Sequence, residues 1–163
     1  MTDDRWLDRE QSRAWLAFVR LQLRLTYEIN RQLQADSDLS LADYDVLTAL
    51  GNAPDARMPI TALAALLGWE RSRLSHQAKR MGNRGLVDSG ASPGDRRVTE
   101  VFLTSRGRDA LAAAAPGHVD LVKRLFFGGL PEHLLAPLTE ALEQVYENVL
   151  DHGTLPDPRT LGE

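Results

Sequence analysis

Seven basic side chains crowd into residues 71–97: Arg71, Arg73, Lys79, Arg80, Arg84, Arg96 and Arg97. The same window holds two acids, Asp88 and Asp95, and carries +5, against −4 for the whole chain. Such a cluster on an otherwise acidic chain has two physical readings. One is a polyanion contact confined to one surface. The other is a solvated helix face. Spacing separates them. Between Glu70 and Arg84, Leu74, Ala78 and Met81 recur at intervals of four and three, which places them on one helical face that must be buried. Ser72, His76, Lys79 and Asn83 then fall opposite, flanked by Arg73 and Arg80. Arg71 and Ser75 complete the candidate contact set. That outward face is cationic and hydrogen-bonding, with no acid and no apolar residue. An amphipathic helix of this size fits the DNA major groove, where such groups read base edges or hold phosphates.

A helix that reads DNA needs a neighbour to brace it. Leu63-Ala64-Ala65-Leu66-Leu67-Gly68-Trp69 supplies a short helix, from Thr61 to Leu67, and a tight turn before the second helix begins. Small Ala64 and Ala65 allow close approach, and Gly68 suits the left-handed backbone of a sharp turn. This is a helix-turn-helix pattern. The period then changes. Leu86–Ser89 predicts a strand, Ala91-Ser92-Pro93-Gly94-Asp95 is turn chemistry, and Val98–Leu103 alternates as the return strand. Arg96 and Arg97 stand just beyond the turn. A two-stranded projection tipped with arginine beside a reading helix is a wing, able to push guanidinium into the narrow minor groove.

The remaining elements are helical. Trp15, Phe18, Val19, Gln22, Leu25, Ile29 and Leu33 predict a long helix from about Asp8, with Asp8 and Gln11 as an N-cap pair. Ser40-Leu41-Ala42-Asp43 predicts the capped start of a second helix, closed by Gly51-Asn52. Met58-Pro59-Ile60 is a short extended piece. Ser105 to about Phe127 predicts a long helix kinked at Pro116-Gly117. A last helix runs from Pro131 to about Leu150, with Pro137 bending it or delaying its start. Gly153–Glu163 predicts a loose tail. The fold class is therefore mainly α with a small β-hairpin wing: one domain over residues 1–163, with a winged helix-turn-helix unit over 40–104.

The run Leu63-Ala-Ala-Leu-Leu-Gly, then Ser72-Arg73-Leu74-Ser75, then Met81-Gly-Asn-Arg-Gly85-Leu86-Val87, resembles the MarR family of bacterial transcriptional regulators. The most specific part is Asp95-Arg96-Arg97 followed by Leu103-Thr104-Ser105-Arg106-Gly107. Element order from about Asp8 to Leu150 resembles that family too. The resemblance implies an obligate homodimer, built from the helices at 8–36 and 105–150, on a pseudo-palindromic double-stranded DNA operator. It implies repression relieved by a small aromatic or phenolic effector. In that arrangement Trp15, Phe18, Tyr44 and His118 converge on a ligand pocket; the competing reading is that these aromatics are plain core or dimer seam. The chain departs from the pattern at Glu70, where such helices often begin with Ser, Thr or Asp. The last helix itself offers Leu134, Leu135, Leu138, Leu142, Val145, Val149 and Leu150, more apolar surface than one neighbour covers.

Other chemistries find little support. With no cysteine, thiolate metal sites, disulfides and thiol nucleophiles are excluded. His76, His118, His133 and His152 show no i, i+4 pair, so no metal and no cofactor is expected. Ser72, Ser75 and His76 lie on one helix without a Gly-x-Ser-x-Gly elbow, which argues against a hydrolase and against an enzyme generally. The acidic, polar Met1–Arg5 does not read as a secretory signal, and no segment approaches the roughly 20 apolar residues of a membrane span. A cytoplasmic location is the expectation. A winged-helix module for dimerisation or protein interaction, without specific DNA binding, is the alternative from another class.

Overall fold

The computed structural model describes residues 6–161. Met1–Arg5, read above as a non-secretory start, lies outside the described residues, as do the last two of the tail. Six helices and three short strands follow in the order α1 (Arg9–Ser37), α2 (Leu41–Asn52), β1 (Arg57–Pro59), α3 (Ile60–Leu66), α4 (Arg71–Asn83), β2 (Val87–Ala91), β3 (Thr99–Leu103), α5 (Ser105–Leu125) and α6 (Leu135–His152). Local chemistry sets most boundaries. Asp8 and Gln11 cap α1 reciprocally, with bonds of 2.8 and 3.0 Å. Ser40 and Asp43 do the same for α2.

The structure differs from the sequence reading at the strands and in the tail, and it places the two prolines expected within the long helices. The β element has three strands, in the order β1-β3-β2, with Met58 opposite Val101 and Ser89 opposite Val101 from the other side. A three-residue strand ending in proline has no alternation to read, and only an edge position tolerates it. Pro116 lies within α5, which continues through it to Leu125. Its missing donor costs one bond in a helix of 21 residues that is held from both sides. The last helix starts at Leu135, after a 3-10 turn at Glu132–Leu134, so Pro137 occupies its first turn, where no amide donor is needed. Finally, the tail expected to be loose carries a 3-10 turn at Pro158–Thr160 that packs on α3. Arg159 holds it down through Asp157 (2.7 Å) and Glu147 of α6 (2.8 Å).

The core lies mainly in the winged unit and takes in Leu33 of α1 and Leu39 of the turn after it. Leu33, Leu39, Val46, Leu47, Leu50, Leu63, Leu74, Met81, Val87 and Val101 are fully enclosed. Beyond it, α5 contributes Ala114 and Leu121, whereas α6 buries no residue and α1 only Leu33. Where β3 meets α5, Thr104 accepts the amide of Gly107 (2.9 Å) and donates to the carbonyl of Gly85 (2.7 Å). Gly107 presses against the loop leading into β2 so closely that a β-carbon there stands 2.0 Å from the Leu86 carbonyl oxygen. Backbone, not a flexible side chain, blocks the space. Gly107→Ala is therefore expected to lower unfolding free energy by about 2–3 kcal/mol, seen as a shifted denaturant midpoint with unchanged slope. An unshifted midpoint would contradict this packing.

Candidate nucleic-acid interface

Two helices meeting at a sharp turn position the outward face of α4. Gly68 adopts φ +66°, and Trp69 returns a backbone bond of 2.8 Å to Ala64. This turns the chain within two residues of α3. Leu74, Gln77, Ala78 and Met81 of α4 are buried against α2 and α3. Arg71, Ser72, Arg73, Ser75, His76, Lys79, Arg80 and Asn83 are all exposed. The eight candidate contacts on this helix thus share its solvent side. They are not equally free. Ser75 donates its hydroxyl to the Arg71 carbonyl at 3.0 Å. The Arg73 guanidinium lies 4.2 Å from the ring centre of Trp69, a cation–π contact that holds the side chain on the turn. Glu70, in the N-cap position, makes no side-chain cap bond. Arg84, also of the cluster, is half-buried and already paired: it bonds to Asp43 at 2.9 Å and reaches Asp38.

The wing places its arginines differently. Ser92 and Val98 close the loop with a 2.8 Å backbone bond, and the amide of Val98 reaches the Asp95 carbonyl. The carboxylate of Asp95 then accepts three bonds from Arg97: the backbone amide at 3.0 Å, and Nε and Nη2 at 3.1 Å each. The Arg97 guanidinium holds the Asp95 carboxyl below its ordinary range. The Arg97 side chain remains 90% exposed. The clamp fixes the direction of the guanidinium and leaves its other donors open to solvent. Arg96 is exposed beside it.

The four proposed pocket residues do not share one cavity. Trp15 and Phe18 pair on the exposed side of α1 (5.7 Å between ring centres). Phe18 lines an open apolar groove of about 690 Å³ with Leu21, Leu25, Phe126, Leu138 and Leu142. Tyr44 and His118 pair elsewhere, between α2 and α5, at 4.6 Å. There the Nδ1 of His118 is buried with no hydrogen-bond partner, and the hydroxyl of Thr48, one turn beyond Tyr44, is buried beside the phenol. Burial pushes the His118 imidazole below its ordinary range and the Tyr44 phenol above its own.

Sequence reasoning missed three residues. Gln77 and Asp43 are buried and bonded to each other at 2.6 Å. Only the tertiary fold brings α2 and α4 together, so no local signal marks that pair. Trp69 was legible in part: an aromatic four positions before an arginine is the spacing for side-chain contact near a helix start. Among the described residues, no three His, Asp or Glu side chains gather into a metal-binding group, and no helix is long and apolar enough to cross a membrane.

A helix-turn-helix with an exposed cationic face, followed by an arginine-tipped hairpin, defines a winged-helix protein. Known proteins narrow the class. Residues 37–98 match the family model described as MarR family. AbsC of Streptomyces coelicolor, a MarR family transcriptional regulator, is 33% identical, with 89% of this chain and 97% of that one aligned and a TM-score of 0.83. Sco3205 of the same organism, a MarR family regulator solved in complex with DNA, is 32% identical over 96% of this chain and 98% of that one, with a TM-score of 0.86. Transcriptional regulator HosA of Escherichia coli O111:H- is 35% identical over 79 residues, which is 48% of this chain and 57% of HosA. The match thus spans little more than half the length of that curated relative. The chain belongs to the MarR family of transcriptional regulators.

The His118 environment has a measurable consequence. With the folded value lowered, the unfolded chain takes up the proton first. The stability this site contributes is complete above the ordinary imidazole value and is lost as pH falls through the folded one. The His118 ring resonance is expected to titrate below the ordinary range. Between about pH 7 and pH 5 the Tm of His118→Phe is expected to fall less than that of the wild type. Equal slopes would show that the ring is not desolvated.

Proposed function

We propose that the protein is a sequence-specific DNA-binding transcriptional regulator that acts as a homodimer in the cytoplasm and has no enzymatic role. The observation that carries this is the α4 face: eight exposed cationic or hydrogen-bonding side chains with the clamped Arg97 on the adjoining wing. The DNA complex of Sco3205, with almost its whole length aligned to this chain, supports the same reading. Ser72, Arg73 and His76, near the N-terminal end of α4, are assigned to base edges. Arg71, Ser75, Lys79, Arg80 and Asn83 line the path of the backbone. Arg97 enters the minor groove and Arg96 takes the adjacent phosphates. The alternative, a protein-interaction module, would present large apolar anchors on this face. It presents charges and amides instead.

One such unit covers a short half-site. Two of them, related by a two-fold axis, read a pseudo-palindrome with half-sites roughly 34 Å apart. The exposed apolar side chains of α1 and α6, among them Trp15, Leu16, Leu23, Leu142, Val145 and Val149, supply the surface for that pairing. The family resemblance implies repression relieved by a small aromatic or phenolic ligand. The Tyr44–His118 pair, between the reading unit and the long α5, offers aromatic surface and buried hydrogen-bonding atoms for such a ligand.

Selection of binding sites from random duplex DNA with purified protein tests the proposal, and recovery of no enriched motif would count against it. On the enriched site, Arg97→Ala is expected to cost about 1–3 kcal/mol of affinity while leaving Tm nearly unchanged. Wild-type affinity would remove the wing from the interface. For the dimer, Val145→Glu with Val149→Glu is informative, because both side chains are exposed within one chain. The double variant is expected to sediment as a folded monomer and to lose tight binding to the palindrome. A stable dimer carrying both charges would place the interface elsewhere.

A further inference from the structure

Gln77 is a polar amide 3% exposed on the buried face of α4, which it shares with Leu74, Ala78 and Met81. Such a group is costly in a core unless both its ends are satisfied. Here both are. Its Nε2 donates to Oδ1 of Asp43 at 2.6 Å, and its Oε1 accepts from Nη2 of Arg80. An ionised carboxylate only accepts hydrogen bonds. Asp43 therefore dictates which end of the amide faces it, and the carbonyl end must face Arg80. Asp43 is itself held, because its other oxygen accepts the backbone amide of Ser40 and Nη1 of Arg84, both at 2.9 Å. Asp43 is 5% exposed. Each link orients the next, and the chain ends at an exposed guanidinium on the cationic face of α4.

We propose that Asp43, acting through Gln77, is a positioning residue that holds the Arg80 guanidinium ready to clamp the DNA backbone. The proposal rests on the DNA-binding reading above and adds how one of its contacts is set. A free arginine loses rotamer entropy when it grips a phosphate. One already braced at Nη2 loses less, and its planar fork stays aimed. The brace comes from α2, so the orientation of Arg80 reports the seating of α4 on the rest of the reading unit. Arg73, stacked on Trp69, draws on no part of this relay.

A double-mutant cycle tests this. The probe is a mixed-sequence DNA duplex about three helical turns long, since a backbone clamp acts on any sequence. Arg80→Ala is expected to weaken binding about tenfold and to reduce the slope of log affinity on log salt by about one. Gln77→Met keeps the volume and removes both bonds. It is expected to weaken binding several-fold in the wild-type background and to have no further effect in Arg80→Ala. Should Gln77→Met not fold, Asp43→Asn replaces it: an amide at 43 can donate, so Gln77 is free to turn its Nε2 toward Arg80. The same loss, again absent in the Arg80→Ala background, is expected. Equal losses in both backgrounds would mean that the relay serves stability alone, and the inference falls while the DNA-binding reading stands. A wild-type protein that binds no duplex would overturn both.

Discussion

The carboxylate of Asp43 joins the start of α2 to two points on α4, 34 and 41 residues away in sequence. It caps the start of α2 through Ser40, takes the amide of Gln77 on α4, and receives Arg84 from the end of α4. Arg84 in turn reaches Asp38, in the left-handed turn between α1 and α2. A buried charge with good partners sets geometry more than it adds stability, because its desolvation cancels much of its attraction. Removing one partner leaves the cost without the compensation. The seating of α4 draws on this carboxylate together with the burial of Leu74, Ala78 and Met81.

Around that centre the apolar surface is divided unevenly. The winged unit encloses nearly all of the core, while α1 and α6 carry large side chains that stay exposed within a single chain. Helices of 29 and 18 residues with so little buried have no reason to stay ordered in water on propensity alone. Two close contacts hold them to their neighbours. Gly117 lets α5 meet α1 so closely that a β-carbon there would lie 2.9 Å from the side chain of Gln32. At the other end, Arg159 ties the tail to α6 while the tail rests on α3.

Short-range rules carried most of the elements. Caps at Asp8 and Ser40, the glycine turn at Gly68 and the arginine hairpin were all legible, since each depends on a few neighbouring residues. The outward face of α4 was legible too, because helical periodicity alone determines which side chains oppose Leu74, Ala78 and Met81. Where the reading failed, the deciding contact lay outside the local segment. The pairing of β1 needs β3, some forty residues away. The tail at Pro158–Thr160 is held by Arg159 bonding to Glu147. Trp15 and Phe18 could not be separated from Tyr44 and His118 until α1 and α5 had been placed.

The sequence by itself determined that this chain has an amphipathic helix with a cationic outer face, a braced turn before it and an arginine-tipped wing after it. Those follow from residue type and spacing, which act over one or two turns of backbone. Only the tertiary structure decided that one cation of the cluster, Arg84, is committed to acids far away in the chain. Arg84 looks like its neighbours in the sequence, yet it is paired with the buried Asp43 and the exposed Asp38. Arg97 is held by Asp95, Arg73 lies on Trp69, and Arg80 is braced through Gln77. The physical reason is that a guanidinium is a long side chain with many donors. Asp95, Trp69 and Gln77 lie within four residues of the arginines they hold, whereas Asp43 is 41 residues from Arg84, a distance that sequence spacing does not encode.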